Sequence, residues 1–516
     1  MAVPALADEE VTFADNVAKV NDSINSFVWT AMLFAILGVG LIMTVITSFF
    51  QFTHFGYWWQ HSIGSVFKRK DVLHSDDKKS ISQFQSLCTA MAATVGTGNI
   101  VGVATAIVSG GPGAIFWMWI AAILGLMTNF SENVLGIFYR RRNKNGEWSG
   151  GAMYYLKDGL GGKKGFKQVG AFLAGLFAVF AVLASFGIGN LSQINSIVTN
   201  VTSTLEGFGV ADQHVGSFSL IHLITGLVLM IVAALVIVGG LQRIAQTAEK
   251  LVPFMAIAYI LGSLVLIFWK PGMILPALGS IFKFAFTGRA IAGGTLGTVI
   301  KWGLKRGVFS NEAGLGSSVM VHSNSNAKEP VTQGIWGIFE VFADTIIICT
   351  LTALAILTSG YIDFESGQLV DQAISASALT NVCFSAVFGK AGSVFVTLAL
   401  VLFAFSTVLG WSHYVSKSWE YLLGTKSTII YRVVFILCIM LGAQMTSSLA
   451  WDISDTFNGL MALPNLIGVL ACAGTVAAIV KNYKDRVFHG KDIEPMLSWN
   501  QEIQKEEEIG FHTGDD

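Results

Sequence analysis

Apolar runs of about twenty residues recur along the chain, separated by short connectors rich in charge, glycine or proline. A helix of that length crosses the hydrocarbon core of a bilayer. The pattern predicts eleven spans, at residues 26–52, 83–109, 117–139, 169–201, 220–239, 245–269, 291–321, 334–358, 393–415, 429–445 and 457–480. Gly110-Gly-Pro-Gly113 turns the second span sharply into the third, where Trp117 and Trp119 fall at the level of an interfacial aromatic belt. The tail from Lys481 is charged and is expected to be mobile, with Glu502 to Glu508 forming a solvated helix.

Loop charge tests this layout. With the N-terminus outside and the sides alternating, 24 Lys and Arg fall in inner loops and the C-terminal tail, and 5 fall outside. The remaining three, Lys301, Lys305 and Arg306, lie within a span. Cytoplasmic loops of membrane proteins carry this excess, so the count supports eleven spans with the C-terminus cytoplasmic. Inner loops hold Lys68, Arg69, Lys70, Lys78, Lys79 and the run Arg140-Arg-Arg142; the outer side holds only Lys19, Lys270, Lys283, Arg289 and Lys390.

Composition adds exclusions. Hydrophobic residues make up 53% of the 516 and charged residues 13%, which rules out a soluble globular protein and leaves no room for a large soluble domain. A net charge of −1 gives no basic field for nucleic acid. Five scattered cysteines, mostly within apolar segments, read as packing residues. The first 26 residues include Asp8, Glu9, Glu10 and Asp15 and lack the apolar core of a signal peptide, although Ala5-Leu-Ala7 looks like the end of one.

Two spans are interrupted. The second contains Thr94-Val-Gly-Thr-Gly-Asn99, where glycines favour unwinding and polar side chains face what would be hydrocarbon. The seventh contains Lys305-Arg-Gly-Val-Phe-Ser-Asn-Glu-Ala-Gly-Leu-Gly316, and a break is expected at residues 307–313. Irregular backbone and charge at that depth must be buried in protein or line a cavity. With the first helix set aside, the broken segments are first and sixth of ten, equivalent positions in two five-helix halves. Five helices per half force the halves into opposite orientations, and paired interrupted helices in an inverted repeat mark a secondary transporter's midplane site. The expected fold is an all-α polytopic membrane protein, a five-plus-five inverted repeat with one extra N-terminal helix. Its parts are a short extracytoplasmic N-terminus (1–25), the extra helix (26–52), repeats at 83–269 and 289–480, and a cytoplasmic tail (481–516).

Three runs, Gly96-Thr-Gly-Asn-Ile-Val-Gly102, Gly110-Gly-Pro-Gly-Ala-Ile-Phe-Trp-Met-Trp119 and Arg306-Gly-Val-Phe-Ser-Asn-Glu-Ala-Gly-Leu-Gly316, resemble the signatures of the alanine or glycine:cation symporter family, within the leucine-transporter-fold group. The resemblance implies sodium-coupled uptake of alanine and/or glycine across a bacterial inner membrane, by alternating access. A zwitterionic substrate needs N–H donors at one end and oxygen acceptors at the other. Gly96, Thr97 and Gly98 can offer backbone N–H groups to its carboxylate and Asn99 an amide oxygen to its ammonium, with Thr94 beside them. Ser185, Gly189 and Gln193 share a face at helical spacing, and the resemblance assigns Gln193 to the substrate's polar end. It also implies a sodium site made by the side chains of Ser406 and Thr407 and the carbonyls of Ala92, Val95 and Phe403, hard oxygen ligands suited to such an ion. Thr407 borders the substrate as well. Phe309 and Trp411 would wall a pocket too small for branched or aromatic side chains.

Glu132, Glu312, Glu340 and Asp344 lie in or near spans, as do Lys301, Lys305 and Arg306, and mutual pairing is the expected reading. A proton relay through Glu312 or Asp344 is the alternative, which leaves both sodium and proton open as coupling ion. No nucleotide motif, metal-ligand cluster or nucleophile triad suggests an enzyme. A channel would need a continuous lined pore, and a sensor of this fold would bind substrate without accumulating it.

Overall fold

A computed structural model describes residues 13–77, 79–287, 296–509 and 511. The acidic start of the chain with Ala5-Leu-Ala7, together with Lys78, Arg289 and the first residues of the seventh predicted span, lies outside the described residues. Helix α1, Phe13–Ile46, is the additional N-terminal helix. It stops at Ser48 and Phe49, both with left-handed backbone (φ 60° and 55°), so the chain turns into short helices at Phe50–Thr53 and Phe55–His61 instead of running straight to residue 52.

The first broken span is α2, Gln83–Thr94, followed by α3, Gly98–Gly110, bent by 51° from it. Helix α2 starts at a capping box in which the Ser82 hydroxyl accepts the Gln85 N–H (3.1 Å) and Gln85 Oε1 accepts the Ser82 N–H (3.2 Å). The chain continues with α4 (Ala114–Phe138), α5 (Lys167–Gly207), α6 (Leu220–Ile237) and α7 (Gly240–Trp269). A short helix α8, Ile274–Ala285, occupies what reads as loop. After it come α9 (Leu296–Asn311), α10 (Val319–His322), α11 (Pro330–Ser359), the connecting helix α12 (Ala376–Phe388), α13 (Lys390–Leu423), α14 (Thr428–Gln444) and α15 (Ser447–Ala471) bent by 56° into α16 (Ala473–Val487).

Among the described residues, ten spans have the length and apolarity of a bilayer crossing when each bent pair is taken as one. The eleventh, α9 with α10, misses that measure because its helices are 16 and 4 residues long. Large apolar side chains such as Leu235, Phe254, Leu261, Leu437 and Leu441 are exposed on the outside of the bundle, as lipid contact requires. Helices α2, α4, α9, α11 and α13 pack at the centre.

The tail departs from expectation. Helix α17, Gln501–Glu508, docks instead of standing in solvent: Ile503 and Glu507 are buried, Glu507 pairs with Arg140 (3.3 Å), and the Trp499 N–H donates to the Phe138 carbonyl (3.1 Å). Leu497 and Ile503 supply apolar contact and the arginines after α4 supply opposite charge, so docking satisfies both.

Candidate functional site

Helix α2 ends because Val95 leaves helical geometry (φ −79°, ψ 88°). Gly96 is required there by close approach. A methyl group on it would overlap Thr407 Oγ1 and lie 3.2 Å from Gln193 Oε1. Gly98 also faces α9 closely, though with more room, its Cβ position being 3.0 Å from Ser310 Cα and 3.4 Å from Phe309 Cδ1. The break therefore brings α2–α3, α5, α9 and α13 to one point, together with Gly96, Thr97, Gly98, Gln193, Phe309 and Thr407.

Its hydrogen bonds are specific. The Gly96 N–H donates to Asn99 Oδ1 (2.9 Å) and the Thr97 N–H to Gln193 Oε1 (3.2 Å). Asn99 thus clips the break, and its Nδ2 donates to Asp344 Oδ1 (2.6 Å) on α11. The Thr94 hydroxyl bonds back to Ala90 O (3.3 Å), whereas Thr97 Oγ1 is buried without a hydrogen-bond partner among the protein atoms. A buried hydroxyl in that position costs about 1–3 kcal/mol, which a polar ligand would offset.

The shared face on α5 is altered. Residues Gly187–Leu191 form a π-helical turn, and its wider spacing rotates the residues before it relative to those after. Ser185 consequently meets Tyr431 on α14 (3.2 Å), Gly189 abuts Trp411, and Gln193 reaches the break. Trp411 donates from its indole to Glu312 Oε1 (2.7 Å), linking α13 to the second break. Phe309 stacks on Trp451 with ring centroids 4.9 Å apart.

Ser406 and Thr407 are buried, and both hydroxyls donate to Phe403 O (2.8 and 3.0 Å). A hydroxyl that donates to its own turn keeps its lone pairs for another group. Gly410 packs directly on Ala93, so α13 lies flat along the end of α2 where Ala92 and Val95 sit. Hydroxyl and carbonyl oxygens without a thiolate or imidazole suit a small hard cation.

The second break begins at the end of the expected stretch 307–313 and runs past it. Helix α9 is continuous through Gly307, whose missing side chain admits Met118 and Ala121 of α4, and it ends at Asn311. The unwinding is at Glu312, Gly314 and Gly316, all with positive φ (57°, 89° and 72°). Glu132 of α4 holds this loop by accepting the Gly314 and Gly316 N–H groups (3.4 and 3.2 Å) and the amide of Asn465. Ser317 donates to Glu312 Oε2 (2.6 Å).

The expected pairing of these carboxylates with the nearby cations does not occur. Lys305 and Arg306 pair instead with Asp455 of α15: Lys305 Nζ lies 2.6 Å from Oδ2, and Arg306 binds both carboxylate oxygens at 3.2 and 2.9 Å. Asp455 is missing from the sequence reading because the last span was drawn from residue 457; two buried cations in need of a counter-charge are the signal for it. Glu132, Glu312 and Asp344 are held by neutral donors, and Glu340 by His322 (3.0 Å) and Asn129 (3.3 Å). Ser310 and Thr345 each donate to Asp344 Oδ2 at 2.8 Å, and Cys349 lies 3.2 Å from Ser310 Oγ. This cluster beside Asn99, containing Ser310, Thr345 and Cys349, also went unread.

Two broken spans in an inverted repeat, with buried polar groups gathered where they cross, define a membrane transporter of the leucine-transporter fold. Among solved structures, MhsT in complex with L-phenylalanine matches 78% of this chain and 99% of its own with a TM-score of 0.51 at 13% identity, a likeness of fold. The chain belongs to the sodium:alanine symporter family, whose profile matches residues 14–496. The sodium/alanine symporter AgcS of Methanococcus maripaludis is 43% identical over 91% of this chain and 98% of its own length. The "Probable sodium/glutamine symporter GlnT" of Bacillus subtilis is 37% identical over 81% and 82%. The chain is thus a multi-pass membrane protein of a transport family and not an enzyme.

Proposed function

We propose that the protein takes up alanine and/or glycine with sodium, by alternating access around the crossing of the two breaks. The observation that carries this reading is Thr97: its hydroxyl is buried and unpartnered beside a backbone bent away from helix. The substrate would be held by Thr94, Gly96, Thr97, Gly98, Asn99, Gln193 and Thr407, with Phe309 and Trp411 as walls. Sodium would sit between the Ser406 and Thr407 hydroxyls and the carbonyls of Ala92, Val95 and Phe403. The AgcS relative favours alanine. The glutamine named for GlnT is disfavoured by the bulk of Phe309 and Trp411, both buried at the site.

The proposed placement is a bacterial inner membrane, N-terminus outside and C-terminus cytoplasmic, supported by the loop charge. Residues 83–269 and 289–480 act as the two repeats, with residues 1–25, 26–52 and 481–516 outside them. A second reading, proton coupling, is favoured by Asp344, a buried carboxylate whose hydrogen-bond partners among the described residues, Asn99, Ser310 and Thr345, are neutral. The deciding experiment is radiolabelled alanine uptake into proteoliposomes with sodium and proton gradients imposed separately. Accumulation driven by sodium alone supports the first reading, accumulation driven by protons alone the second, and downhill flux without coupling would remove both.

A further inference from the structure

Away from the breaks, a polar cavity of about 320 Å³ opens at the basic end of the bundle, between the α6–α7 junction, the end of α13 and the start of α14. Its carboxylates are already engaged. Glu420 accepts from Ser149 (2.7 Å) and Asn143 (3.0 Å) and pairs with Lys417 (3.3 Å), and Glu147 lies 3.7 Å from the same lysine. What remains is electropositive. Among the described residues Arg432, half-buried in the wall, has no hydrogen bond or ion pair at bonding distance, although Glu147 and Glu420 of the same cavity attract its charge, and the exposed Lys79 side chain has none either. His413, 3% exposed, lines the same wall with Nε2 unpartnered.

Backbone adds to this. Gly239 and Gly240 line the cavity at the N-terminus of the 30-residue helix α7; the Gly239 N–H is given to the Val236 carbonyl (3.1 Å), but the helix start has no side-chain cap and its positive dipole end favours an anion. Arg432 Nη1 lies only 3.6 Å from where a Cβ of Gly240 would be, so guanidinium and helix end face the same space. A planar guanidinium beside a helix start that no side chain caps suits a tetrahedral oxyanion. Val238, on the rim, is 58% exposed, and Ile430 near Arg432 is exposed to the same degree, so the mouth lies where the apolar belt meets the polar end.

We propose that this cavity binds a phosphate group, carried by a lipid headgroup or free in solution. The test uses the purified full chain in detergent. In one arm, native mass spectrometry compares retention of phosphatidylglycerol with phosphatidylcholine of the same acyl chains; in the other, the melting temperature is compared in inorganic phosphate and in chloride at equal ionic strength. Selective retention of phosphatidylglycerol, reduced about tenfold in Arg432→Gln by loss of a charge-assisted bond, identifies a headgroup site. A melting temperature raised by phosphate and not in Arg432→Gln, without lipid selectivity, identifies free phosphate. Should Arg432→Gln fail to fold, the exposed Lys79→Gln carries the same comparison. Equal retention of both lipids with no effect of phosphate, or wild-type binding by the variants, overturns the proposal.

Discussion

Gly96→Ala puts the proposed coupling site to its sharpest test, because it adds one methyl group at the point where four helices meet. The new Cβ would overlap Thr407 Oγ1 and stand 3.2 Å from Gln193 Oε1 and 3.4 Å from Thr407 Cβ. Thr407 is β-branched and its hydroxyl is tied to Phe403 O at 3.0 Å, so it yields only by changing rotamer and giving up that bond. Overpacking of this kind costs ~1–3 kcal/mol and the lost bond about 1 kcal/mol. If that strain falls on the ion-bound state, sodium affinity drops by roughly 30- to 700-fold, at 1.4 kcal/mol per factor of ten. The assay is a sodium titration of alanine uptake in proteoliposomes. Gly175→Ala, a site on α5 where a Cβ meets nothing within 4 Å, serves as the control. A Gly96→Ala curve superimposable on wild type would refute the argument that this contact belongs to the coupling site.

Other changes separate the parts of the site. Thr407→Ala removes a proposed ligand without adding bulk, and the same titration should move to higher sodium by about tenfold; an unmoved midpoint counts against Thr407 as a ligand. Phe309→Ala should let larger neutral amino acids compete with labelled alanine, and if only alanine and glycine still compete, the wall lies elsewhere. Asp455→Asn leaves Lys305 and Arg306 buried without their counter-charge, for which ~3–5 kcal/mol of destabilisation is expected. A melting temperature within a degree of wild type would show that solvent already reaches the pair.

Glycine and asparagine inside an apolar run were sufficient to locate the first break, because nothing else accommodates them at that depth. The second overlaps its expected stretch only at the end, because two uses of glycine look alike in a sequence: Gly307 lets helices approach, whereas Gly314 and Gly316 unwind the chain. Asp455 escaped notice because pairing between distant helices leaves no local pattern, and Ser185 was turned away from Gln193 by a π-helical turn that a 3.6-residue period cannot register. The docked tail was hidden by its own charge. Only the arginines after α4 reveal what that charge is for.

Helix α1 stands outside the two repeats, yet Trp29 donates to the Asp455 carbonyl (2.9 Å) and Lys305 Nζ donates to Asn25 Oδ1 (3.2 Å). Stripped of that helix, the rest of the bundle would lose the Asn25 contact and turn the Lys305–Asp455 ion pair toward hydrocarbon. What looks like an appendage is therefore a shield, and the ten-helix core is not a self-sufficient machine in this protein.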